Sequence, residues 1–129
     1  MTAINFKREI SDTVDHAVER TTKALGAEGF GILTRIDMHS KIKEKTGKDI
    51  IPTIILGACN PNLAFEAYTA NSDVASLLPC NAVIREIAPG KVSIELVKPT
   101  AMMQILGDAK LAKLALEADV KIERALQNI

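Results

Sequence analysis

From Ala109 to Ile129 the chain carries one unbroken apolar stripe: Leu111, Ala115, Ala118, Ile122, Ala125 and Ile129 follow one another at steps of four and three. Such steps place every member on one side of an α-helix, which predicts a helix from about Ala109 to Gln127 with Asp108 as its cap. Three of the six stripe residues are alanine, and Leu114, Leu116, Val120 and Leu126 widen the apolar surface beyond the narrow seam of a coiled coil. A helix this broad on one side is expected to pack across a sheet of its own domain. Apolar surface left over at Leu116 or Val120 is then free to meet a second copy. The rest of the chain must supply a sheet with one apolar face for this helix to cover.

Short alternating runs supply it. Ile4 to Ile10 reads as a first strand with Ile4, Phe6, Arg8 and Ile10 on one side, and the intruding Arg8 points to an edge position. Ser11 or Asp12 is expected to cap a helix to about Ala27, whose apolar side is Val14, Ala17, Val18, Thr21, Ala24 and Leu25. Phe30 to Ile36 is a second strand. Asp37 is placed to cap a short helix from Met38 to about Thr46, which Gly47 ends. Thr53 to Ala58 is a third strand, after which Asn60 as N-cap and Pro61 at the first position start a helix to about Ala70. Asn71 to Pro79 reads as irregular. Ala82 to Ile87 and Lys91 to Val97 form a hairpin around Ala88-Pro89-Gly90, and a short helix begins at Pro99 and stops at Gly107. This order predicts an α+β fold: one domain over residues 1–129, with a largely antiparallel sheet of about five strands and helices on one face. At 129 residues and 47% hydrophobic content, one core is the natural outcome.

Charge narrows the function classes. Lys and Arg number 16, Asp and Glu 16, so the formal net charge is zero. Nucleic-acid binding draws most of its affinity from basic excess, and the chain has only Phe6, Phe30, Phe65 and Tyr68 for stacking, so no nucleic-acid partner is expected. A neutral chain also meets no electrostatic barrier to self-association. Residues 1–9 lack the apolar core of a secretory signal, and Ile50 to Cys59 is interrupted by Pro52, Thr53 and Gly57, too short for a membrane span. With two cysteines and no disulfide framework, a cytoplasmic protein with reduced thiols is expected.

Those cysteines are the centre of any candidate site. Gly57-Ala58-Cys59-Asn60-Pro61 is answered by Leu78-Pro79-Cys80-Asn81: each cysteine precedes an asparagine and has a proline within two residues. Cys59 stands just before a helix N-cap, where partial positive charge favours a thiolate. If the third and fourth strands are antiparallel neighbours, the two sulfurs approach each other. A redox pair, a two-thiolate metal site or a thiol-lined ligand pocket would all follow. Against these stands the ordinary role of cysteine as a small buried hydrophobe. His39, two residues after Asp37, is the better candidate for a further ligand than His16, which lies in a charged helix. Asn60 and Asp37 have complete explanations as caps, whereas a buried Asn81 would have to find partners or bind something. The candidate binding residues are Cys59, Asn60, Cys80, Asn81, Asp37 and His39. No catalytic residue, cofactor or metal follows from the sequence.

Gly29-Phe30-Gly31 with Ile36-Asp37, then Leu56 to Pro61, then Leu77 to Asn81, in this order and spacing, resemble the domain-of-unknown-function family 302 (DUF family 302), from about Phe6 to Leu126. The resemblance implies a strand–helix–four strands–helix core, similar to the TATA-binding-protein-like fold, and a dimer, with no established reaction. Two readings stand: a non-enzymatic dimeric binding module with a small-ligand pocket near the cysteine–asparagine motifs, or a thiol-dependent redox or metal-handling protein using Cys59 and Cys80. The missing catalytic constellation favours the first.

Overall fold

Alternation along the strands sorts the side chains into two faces, and the helix layer covers only one of them. The structure, a computed structural model, describes residues 3–129. Strands β1 (Asn5–Ser11), β2 (Gly31–Asp37), β3 (Thr53–Cys59), β4 (Cys80–Ala88) and β5 (Lys91–Val97) form one open sheet in the order β1-β5-β4-β3-β2. Every neighbouring pair is antiparallel. The helices are α1 (Val14–Ala27), α2 (Met38–Thr46), α3 (Pro61–Ala70), α4 (Pro99–Met103) and α5 (Ala109–Gln127). The chain is thus a single mixed α/β domain in which the predicted β-α-β-β-β-β-α order carries three additional short helices.

The α5 stripe is buried from Leu111 to Ile129, as its periodicity requires. Its C-terminal half packs with α1 on the sheet. There Ile54, Leu56 and Ala58 of β3, Ala82 and Ile84 of β4, and Val92, Ile94 and Leu96 of β5 meet Ala17, Val18 and Leu25 from α1 and Ala118, Ile122 and Ala125 from α5. The N-terminal half of α5 serves a second, smaller cluster: Leu111 and Ala115 join Ala67 of α3, Met103 of α4 and Val74. Val74 lies in a 3₁₀ turn, Ser72–Leu77, within the stretch expected to be irregular.

Several local readings change. The α1 cap is Thr13, whose hydroxyl accepts from the His16 amide at 3.2 Å, and neither Ser11 nor Asp12. Asp12 instead accepts from the Arg20 guanidinium at 2.8 Å and from His16 Nδ1. Asp37 occupies the N-cap position of α2 but makes no cap bond, because its carboxylate accepts from Arg35 Nε at 2.9 Å. Arg8 sits on the edge strand as expected, and its place in an apolar row has a cause. Its guanidinium donates to the carbonyls of Leu126 and Gln127 at 3.0 and 3.1 Å, satisfying the free end of α5 and complementing its dipole.

Candidate functional site

Gly29-Phe30-Gly31 and the two cysteine motifs converge at one end of the sheet, with Ile36-Asp37 at the other, and most of their residues are there for packing. Gly29 has φ +85°, a conformation that disfavours side chains, and a Cβ on it would meet Asn60 Nδ2 at 3.0 Å. Asn60 caps α3 by accepting from the Leu63 amide at 3.2 Å, and its Nδ2 donates to the Glu28 carbonyl at 3.5 Å. Pro61 takes the first helical position of α3. Gly57 pairs with Thr34 on one side and Asn81 on the other, and the Thr34 hydroxyl and the Pro79 ring close over it.

Strand pairing then decides where the cysteines go. The partner of Cys80 across β3 is Ala58, so Cys80 shares the helix-covered side with Ala58 and Ala82, while Cys59 is one step out of phase with it. Both thiols are free. Burial pushes the Cys59 thiol above its ordinary value. Burial, with smaller contributions from Cys59 and Asp119, pushes Cys80 up to about 11. The direction at Cys59 is opposite to the activation expected beside the start of α3, and its cause is desolvation.

Where these residues meet the helix layer there is a cavity of about 50 Å³ at the seam between the two apolar clusters. Cys59, Asn60 and Cys80 form part of its wall, with Met103, Leu111 and Ala115 opposite. No charged side chain lines it. Met103, Leu111 and Ala115 are indistinguishable from core residues in the sequence, since only the docking of α3 and α4 on α5 turns their surface into a wall. Asp119 ties α4 to α5: its carboxylate accepts from the Thr100 amide at 3.1 Å and the Thr100 hydroxyl at 2.7 Å.

The other candidates lie elsewhere. Asn81 is exposed on the uncovered face of the sheet, so its amide is open to solvent and needs no buried partner or ligand. Asp37 pairs with Ile54, whereas Cys59 pairs with Gly31, so the two stand at opposite ends of the β2–β3 ladder, about 20 Å apart along it. Arg35 holds the Asp37 carboxyl below the usual carboxylate range. His39 is beside Asp37: its Nδ1 accepts from the Thr53 amide at 3.0 Å, continuing the ladder past the end of β2. Among the described residues, no three His, Cys, Asp or Glu side chains are grouped to hold a metal ion.

The Cys80 environment makes an alkaline prediction. The unfolded thiol titrates near its ordinary value of 9.0, before the folded one, so stability is full below pH 9 and falls as pH rises toward 11. Two pH units correspond to about 2–3 kcal/mol. Urea unfolding as a function of pH should show this limb in the wild type and a shallower one in Cys80→Ala.

No helix among the described residues is long and apolar enough to cross a membrane. Comparison with curated proteins finds no match. Among solved structures, the chain is similar to that described as "uncharacterized conserved protein DUF302 from Bacillus stearothermophilus", with 28% sequence identity, 98% of each chain covered and a TM-score of 0.90. The family described as "Domain of unknown function DUF302" matches residues 6–129, a span that includes all three motifs. On that match, and with the same fold in a solved member, the chain belongs to the DUF302 family.

Proposed function

We propose that the protein is a non-enzymatic binding module of the cytoplasm, working as a homodimer and taking a small uncharged ligand in the cavity beside Cys59, Asn60 and Cys80. The observation that carries this reading is the cavity wall itself. The motif residues that packing leaves unexplained, the two cysteines, contribute to an apolar cavity without a charged group. Desolvation raises both thiols and so disfavours the reactive thiolate, which supports binding over covalent chemistry. Two free thiols suit a reducing compartment.

Size sets the ligand class. Organic-ligand sites usually enclose about 300–1,000 Å³, several times this cavity. As it stands, the site admits a molecule of a few heavy atoms, and a larger one enters only if α3 moves outward. In α3 only Ala67 is buried, with Leu63 half-buried against the main core, so few buried contacts oppose its outward movement. Pressurisation with xenon, a single apolar atom of matching size, followed by methyl and amide NMR shifts, tests the reading. Shifts should cluster at Leu63, Met103 and Leu111 in the wild type and vanish in Ala115→Leu, whose added atoms fill the space. A wild type without localised shifts would refute the pocket.

A further inference from the structure

We infer that the cavity takes one copper(I) ion between the sulfur atoms of Cys59, Cys80 and Met103. The inference rests on the same cavity as the small-ligand reading, but on the sulfur in its wall, and assigns it a second kind of occupant. The first observation is where sulfur lies. The chain has two cysteines and four methionines, and both cysteines line this one cavity of about 50 Å³ together with Met103. The three come from elements distant in sequence: the end of β3, the start of β4 and the end of α4. The space has room for only a few water-sized atoms, so an ion inside it is within reach of both walls.

Register then separates an ion site from a disulfide. Ala58 pairs with Cys80, so the Cα atoms of Cys59 and Cys80 are about 6 Å apart, one strand across and one step along. That spacing is within disulfide range, but the two side chains leave their strands out of phase, whereas a disulfide needs Cβ atoms about 3.5–4.5 Å apart. A bridging ion tolerates a wider gap between the sulfurs. The thiols also sense each other: beside burial, Cys59 contributes to raising the Cys80 thiol, as repulsion between two thiolates would. A cation between them removes that repulsion.

Donor chemistry chooses the ion. Thiolate and thioether sulfur are soft donors, which suit copper(I). Structural zinc takes four tetrahedral ligands. Among the described residues, no His, Asp or Glu lines the cavity, and the Asn60 side chain is already engaged by the Leu63 amide and the Glu28 carbonyl. On binding, both thiols give their protons to solvent, two S–Cu bonds form, and no electron changes hands. The thioether of Met103 supplies the third donor, and its unbranched side chain adapts to the ion. Two thiolates and one copper(I) leave a single negative charge. Cys59 stands directly before the N-cap of α3, where the free amides of the first turn favour that charge.

Anaerobic titration with copper(I) in competition with a chromophoric copper(I) chelator tests the site. The wild type should take one ion per chain, with near-ultraviolet thiolate-to-copper absorption. Cys59→Ala and Cys80→Ala should each weaken binding by more than the roughly 10–100-fold cost of losing an outer-shell partner, and Met103→Leu, which keeps the volume, by about tenfold. Excess zinc should leave the copper in place. A wild type that takes no more copper than the Cys59→Ala/Cys80→Ala variant would overturn the inference, as would displacement by zinc. If a cysteine variant fails to fold, the methionine methyl spectrum of the wild type decides: copper(I) should shift the Met103 methyl and leave that of Met102, which does not line the cavity, in place. A Met103 methyl that stays still refutes the three-sulfur site. Xenon keeps the two readings apart. Xenon shifts without copper binding would remove the metal site and leave the pocket standing, and copper binding without xenon shifts would do the reverse.

Discussion

Ile94→Ala should lower stability by about 2–5 kcal/mol, the range for removing a fully buried branched side chain. Ile94 has no exposed surface and lies on the second strand from the edge, paired with Arg8 on one side and Ile84 on the other. Neither neighbour can close over the space. Arg8 is tied to the end of α5 through two carbonyls, and Ile84 is itself fully buried beneath the helix layer. The transfer free energy of the lost methyl groups and the cost of the residual cavity therefore add. For a chain of this length the melting temperature should fall by roughly 8–20 °C, with an unchanged denaturant slope. Val74→Ala, in the smaller cluster, should cost less and act locally, loosening α3 and the following 3₁₀ turn more than the sheet in amide hydrogen exchange. A loss below about 1 kcal/mol for Ile94→Ala would mean that the main core does not lie between β5 and the α1–α5 layer.

The contrast between these clusters shows what the sequence can and cannot disclose. Helix periodicity is local, so α5 and its buried stripe are legible to the residue, as are the Asn60 and Asp108 caps, whose partners lie two or three positions away. Strand existence is legible for the same reason. What is hidden depends on partners distant in sequence. Arg8 looks like a fault in an apolar row until the carbonyls at the end of α5 are placed beside it. Asn81 looks buried until β4 takes its register against β3, which turns Cys80 toward the helices and Asn81 toward the uncovered face. Asp37 and His39 are near the cysteines only in the list of candidate residues. A strand that begins beside them ends beside Cys59, at the other end of the sheet. The motifs led to the right end of the molecule, but their glycines and prolines are conformational requirements and only the cysteines are left for chemistry.

Gly57→Ala is the substitution that tests this division, and it should cost about 1–3 kcal/mol even though it adds a single methyl group. Gly57 lies in the middle of the sheet, where alanine is ordinarily the better residue, so propensity alone predicts a gain. Two groups on the uncovered face reverse the sign. A Cβ would stand 2.7 Å from Cγ of Pro79 and closer still to the Thr34 hydroxyl. The Pro79 ring cannot rotate away. Thr34 is β-branched, so turning its hydroxyl aside brings other atoms toward the same place. The relief must come from shifting β2, which disturbs the neighbouring Gly29–Asn60 contact, or the start of β4, which disturbs the cavity wall at Cys80. Thr34→Ser should change little by itself and, combined with Gly57→Ala, recover part of the loss. A double-mutant cycle by urea unfolding should therefore give a favourable coupling of about 0.5–2 kcal/mol. Thr34→Ser keeps the hydroxyl and frees its rotation, so the coupling reports the steric conflict and not a lost hydrogen bond. If Gly57→Ala is as stable as the wild type, Thr34 and Pro79 do not close over β3, and a glycine there would have to be explained by what binds on that face.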